Sequence, residues 1–91
     1  MQRDIVSTTS APAAIGPYSQ GVKASGKFLY TAGQIPLDPS TMEVVGTTAA
    51  EQCKQVMKNL QAILTAAGTD FDHVIKTTIF LKSMSDFAAV N

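Results

Sequence analysis

Residues 15–22 read I-G-P-Y-S-Q-G-V, which sets a phenol, a hydroxyl and a carboxamide within three positions, directly behind a Gly-Pro pair. Pro17 fixes its own φ, and Gly16 tolerates unusual geometry, so together they aim Tyr18 with little freedom left to lose. A stiff aromatic with a polar tip makes a good wall for a small ligand. Spacing alone favours the plainer alternative, a core tyrosine after a loop. The same holds for Thr31, Ala32, Gly33 and Gln34, where small residues permit a ligand's close approach or mark a bulge.

Other chemistries find little support. His73 and Cys53 are the only residues of their kinds and stand twenty positions apart, so no metal-ligand cluster forms from spacing. No Ser-His-Asp arrangement is supported. The glycines of G-P-Y-S-Q-G and A-S-G-K-F do not follow a strand and open a helix, as a phosphate cradle must. Cys53 falls on an apolar stripe and reads as a small core residue.

The elements that would position Tyr18 follow from periodicity. Residues 3–9 are rich in β-branched side chains and read as a first strand. Residues 18–25 alternate roughly, Gly26-Lys27 suits a two-residue turn, and residues 28–35 read as the returning strand. Residues 43–45 make a short strand. A helix is predicted over 48–67. Ala49, Cys53, Val56, Met57, Leu60, Ile63, Leu64 and Ala67 form its stripe, Thr48 with Glu51 its capping box, and Gly68 its left-handed stop. Residues 73–82, H-V-I-K-T-T-I-F-L-K, read as a strand apolar on both faces, hence covered on two sides. One cover is the helix, and a neighbouring subunit's sheet would supply the other. Ser85 with Asp86 then opens a second helix that the sequence stops after barely two turns, which predicts a chain cut within an element.

Ninety-one residues make one domain, 1–91. Apolar residues are 45% and charged residues 15%, enough for a packed core. So short a chain needs a staple, a metal or partner chains. Cys53 alone forms no internal disulfide, which leaves oligomerisation. Seven basic and seven acidic residues give zero net charge, and no basic run appears, which argues against nucleic acid as a partner. There is no secretory h-region and no membrane span. The expected location is the cytoplasm, with the mitochondrion left open.

Five collinear stretches are similar to the RidA/YjgF family, also called the L-PSP endoribonuclease family: A-P-A-A-I-G-P-Y-S-Q-G-V at 11–22, T-A-G-Q-I-P at 31–36, L-T-A-A-G at the helix end, V-I-K-T-T-I-F-L at 74–81 and D-F-A-A-V-N at 86–91. The resemblance implies an α+β, chorismate mutase-like sheet with helices on one face, here incomplete at its C-terminal end without the second helix and final strands. It implies a homotrimer with sites between subunits, no cofactor, and hydrolysis of 2-iminobutanoate and 2-iminopropanoate to 2-oxo acids and ammonia. Tyr18, Gly33 and Asn91 match the family's substrate-binding residues. Ala32 stands in the pocket where many relatives have Ser. The family's carboxylate-binding arginine and water-handling glutamate lie beyond Asn91, and Arg3 matches neither, so no catalytic residue is assigned within the chain and residues 1–91 alone are expected to be inactive. A translation-inhibiting endoribonuclease and a non-catalytic 2-oxo acid-binding trimer are the alternatives.

Overall fold

The computed structural model describes residues 2–91. Strand β1, Gln2–Val6, pairs antiparallel with β2, Gly21–Ser25. The register sets Arg3 opposite Ala24 and Ile5 opposite Val22. Residues 7–20, which carry Tyr18, are therefore the loop that closes this pair. Helix α1 spans Ala49–Ala66, and a one-turn helix α2 spans Phe87–Val90. The architecture is α+β, as expected.

Helix α1 forms where its signals place it. Thr48 is the N-cap, and its Oγ1 accepts from the Glu51 N–H at 3.2 Å. Glu51 Oε2 accepts from the Thr47 N–H at 3.0 Å, one residue earlier than a reciprocal capping box would have it. At the far end, Gly68 takes φ +80°. The Thr69 N–H bonds the Leu64 carbonyl at 2.9 Å and the Gly68 N–H that of Thr65 at 3.0 Å, the paired closure of a Schellman stop. Cys53, Val56, Leu60 and Ile63 are half-buried, whereas Met57 is exposed. Leu64, at 9% exposure, is the sole buried apolar residue among those described.

The strand readings need correction. Gly26 does turn, with φ +115°, but residues 28–35 do not return as a ladder on β2, whose partner is β1. Residues 74–82 join no ladder either. His73 instead ends a 3-10 turn, Phe71–His73, capped by Asp70. A strand cannot close its own backbone hydrogen bonds, so an apolar alternating segment becomes a strand only where a partner edge lies beside it. The predicted strand at 43–45 reduces to one antiparallel bridge, Leu37 to Val44. The second cap is Ser83 and not Ser85: Ser83 Oγ accepts from the Ser85 N–H at 3.3 Å and opens the 3-10 turn Met84–Asp86 that leads into α2.

Polar ties join these pieces. Asn59 of α1 donates to the carbonyl of Leu37 at 3.0 Å and lies 3.4 Å from that of Ile35. Arg3 donates to the Val74 carbonyl at 2.8 Å, holding residues 74–82 to β1 by a side chain. The resulting body measures 47 × 34 × 15 Å with a radius of gyration of 15.3 Å. A compact chain of this length would have a radius of about 12 Å. The thin dimension leaves apolar faces open: Phe80 is 94% and Tyr30 89% exposed.

Candidate functional site

The Tyr18 loop is built by short-range geometry. The Tyr18 N–H bonds the Gly16 carbonyl at 2.8 Å, a three-residue turn centred on Pro17. The phenol oxygen accepts from the Ile15 N–H at 3.4 Å, a long bond. The ring lies against Gly16: a Cβ added there would stand 3.4 Å from Tyr18 Cε1 and 4.0 Å from Asn91 Nδ2. Gly16 thus leaves bare backbone beside both the Tyr18 ring and the Asn91 amide. Tyr18 remains 59% exposed, so its ring is a surface wall and not a core residue. This decides against the plainer reading that spacing favoured.

Beside the ring is a concavity of about 880 Å³ formed by the end of β1, the loop and Tyr18. It is lined largely by small residues, among them Thr8, Ala11, Ala13 and Ala14. Their short side chains leave the backbone accessible, as suits a small polar ligand.

Of the four binding positions expected from the sequence, Tyr18 and Asn91 each place an atom within 4.0 Å of where a Gly16 Cβ would stand. Gly33 is open, with nothing within 4 Å of where its Cβ would be, and the Ala32 carbonyl lies 3.4 Å from its neighbour Gln34's amide. Arg3 is committed to the Val74 carbonyl. Among the described residues no three His, Cys, Asp or Glu side chains gather as metal ligands. His73 pairs with Asp70 at 2.9 Å on the surface, and Cys53 lines a groove between α1 and α2.

Sequence reasoning missed Gln20. Its Oε1 accepts from the Thr8 N–H at 2.6 Å, and its Nε2 donates to the carbonyls of Thr8 at 3.0 Å and Pro12 at 2.6 Å, with that of Ala11 at 3.3 Å. The only available signal was a carboxamide directly before the strand-opening Gly21.

The chain belongs to the Endoribonuclease L-PSP family, which matches residues 8–91. A RutC family protein of Synechocystis sp. is 54% identical over 92 residues, covering the whole chain and 70% of that protein. A 2-iminobutanoate/2-iminopropanoate deaminase of Mus musculus is 52% identical, covering 98% of the chain and 65% of that enzyme. Among solved structures, E. coli TdcF with bound serine superposes with a TM-score of 0.66 at 40% identity, over 96% of this chain and 67% of that one. Similarity of this extent fixes both family and fold, and the structure is that of a YjgF/L-PSP protein.

Proposed function

We propose that this chain contributes the aromatic wall of a 2-iminobutanoate/2-iminopropanoate deaminase. The observation that carries the reading is that the Tyr18 ring and the Asn91 amide, far apart in sequence, both lie beside Gly16. Support comes from the mouse deaminase at 52% identity and from TdcF, whose bound serine is a small amino acid of the same size class as the imino acids.

The chemistry asks little of such a site. The carbon of a protonated imine is already electrophilic. Water adds to it, one of the water's protons passes to nitrogen, and the C–N bond breaks as the remaining hydroxyl proton is passed to the departing ammonia, leaving a 2-oxo acid and ammonium. The protein need only hold the flat acid against the phenol, present an amide, and place a water. Ala32 offers no hydroxyl, so backbone at Gly33 would serve on that side.

The substrate's carboxylate needs a cation. The single arginine of residues 1–91 is tied to a backbone carbonyl, so Arg3 as placed is not that cation. A bidentate guanidinium clamp contributes on the order of 2 kcal/mol per charge-assisted bond. Residues 1–91 are read as one domain, and the assembly as a homotrimer in which partner copies cover the open faces carrying Tyr30 and Phe80. A cytoplasmic location is part of the same reading, and no described helix is long and apolar enough to cross a membrane.

The test is a coupled assay in which a pyridoxal-phosphate dehydratase supplies 2-iminobutanoate from threonine. A natural protein carrying residues 1–91 should accelerate release of 2-oxobutanoate and ammonia and leave RNA uncut. RNA cleavage without deamination would overturn the reading in favour of the family's endoribonuclease description.

A further inference from the structure

The geometry points to Gln20 as the positioning residue that sets the Tyr18 loop against Asn91. The inference deepens the functional reading above and rests on it for the claim that Tyr18 faces a substrate.

Backbone pairing between β1 and β2 ends at Val6 opposite Gly21. Beyond that pair the Gln20 side chain takes over the ladder. Its Oε1 receives the Thr8 N–H and its Nε2 gives to the Thr8 carbonyl, the two-bond exchange that a backbone residue of a facing strand would make. The orientation of the amide is fixed by this exchange, because a flipped group would set donor against donor and acceptor against acceptor. The remaining donor capacity goes to Pro12, with Ala11 nearby. One side chain thus gathers residues 8–12, and the part of the loop left free shrinks from residues 7–20 to residues 13–19, which hold Gly16 and Tyr18. A shorter free loop has fewer conformations to lose when Tyr18 is held in place. Thr8, Ala11, Tyr18 and Gln20 also line the concavity, so the clamp shapes its floor as well as its wall.

Gln20 therefore acts on ligand binding through the loop and not by touching the reacting atoms. Two variants separate this from a general effect on folding. Gln20→Ala removes every bond of the clamp. Gln20→Glu keeps shape and the acceptor for Thr8 N–H but sets a carboxylate against carbonyl oxygens. The structural readout is the nuclear Overhauser contact between the Gly16 α-protons and the Asn91 side-chain amide, with circular dichroism of α1 as the folding control. The functional readout is affinity for 2-oxobutanoate, followed by emission of Tyr18 in a Tyr30→Phe background, where it is the one tyrosine left in residues 1–91.

Both variants are expected to lose the Gly16–Asn91 contact while keeping the helical signal. Affinity should weaken about tenfold, the equivalent of one to two hydrogen bonds. Retention of that contact in both variants overturns the inference. If the native chain binds no 2-oxobutanoate but Gln20→Ala still breaks the contact, the substrate reading falls and Gln20 stands as the residue that places Tyr18.

Discussion

Helix α1 and residues 74–82 are both rich in apolar side chains, yet they end in different states. The helix is capped by Thr48, stopped at Gly68 and half-covered along its stripe. The other segment has no ladder, and its Phe80 is 94% exposed. The difference lies in where each finds its hydrogen-bond partners. A helix finds them three and four residues away, so its sequence carries its own instructions. A strand finds them on another segment, and among the described residues the one such link is an arginine side chain to Val74. The lesson is that apolar alternation specifies a surface to be covered, and the cover has to come from elsewhere.

The largest expected effect breaks or sharpens that comparison directly. Phe80→Asp alters a side chain that one copy leaves in water, so the helical signal of α1 should be unchanged. In the proposed trimer the same substitution removes three aromatic side chains from interfaces, each contributing about 2 kcal/mol or more. Native mass spectrometry should then show monomer in place of trimer. A trimer that survives Phe80→Asp would place the cover of this face somewhere other than between copies.

The contrast also explains what was legible in advance. Both ends of α1 were readable from Thr48, Glu51 and Gly68, because each acts on backbone within five residues of itself. Tyr18 and Asn91 are named by resemblance, and each has an atom beside Gly16, but nothing in residue spacing joins positions so far apart. The pairing of β1 with β2 was missed for a related reason. Gly26 turns as a hairpin glycine would, and sequence reasoning then assigned the next apolar run as the partner. The actual register is continued by Gln20, whose amide imitates a backbone residue, and no periodicity reports that. Ser83 was passed over for Ser85 because both precede Asp86 at plausible capping distances.

Within α1 the next effect is smaller and local. Leu64 is the one buried side chain of the stripe. Leu64→Ala should lower stability by about 3 kcal/mol, toward the lower part of the range for buried leucines because so little surrounds it. The midpoint of urea unfolding followed at α1 measures it. A loss below about 1 kcal/mol would mean that the stripe is no better covered than residues 74–82, and the comparison would collapse.

Gly46 sits just ahead of the helix with φ +89°. A Cβ there would come within 2.8 Å of Glu51 Cβ and 3.1 Å of the Gln52 nitrogen. Gly46→Ala therefore combines left-handed strain with a clash against helix backbone, and should cost about 2 kcal/mol. Because Glu51 is the carboxylate that receives the Thr47 N–H, the variant should also fray the first turn. Faster hydrogen exchange at Thr47 and Glu51 would register this, and native protection at both would show that the loop simply moves aside.

The smallest effect is the most diagnostic. Thr48→Ala removes the one side-chain acceptor of the Glu51 N–H and should cost about 1 kcal/mol, while Thr48→Asp should restore it because an acid at the N-cap accepts the same bond and favours the helix dipole. Thr78, in the open segment, supplies the control: it is exposed and makes no side-chain hydrogen bond among the described residues, so Thr78→Ala should change nothing within about 0.5 kcal/mol. If Thr48→Ala and Thr78→Ala prove equally silent, α1 is held by its neighbours and not by its own ends. If Thr78→Ala is the costlier of the two, residues 74–82 are already paired in solution and a partner edge lies beside them. In either case the helix would lose its standing as the element that specifies itself, and the Tyr18 loop, which relies on one glutamine for its closure, would be the only local device left to define the site.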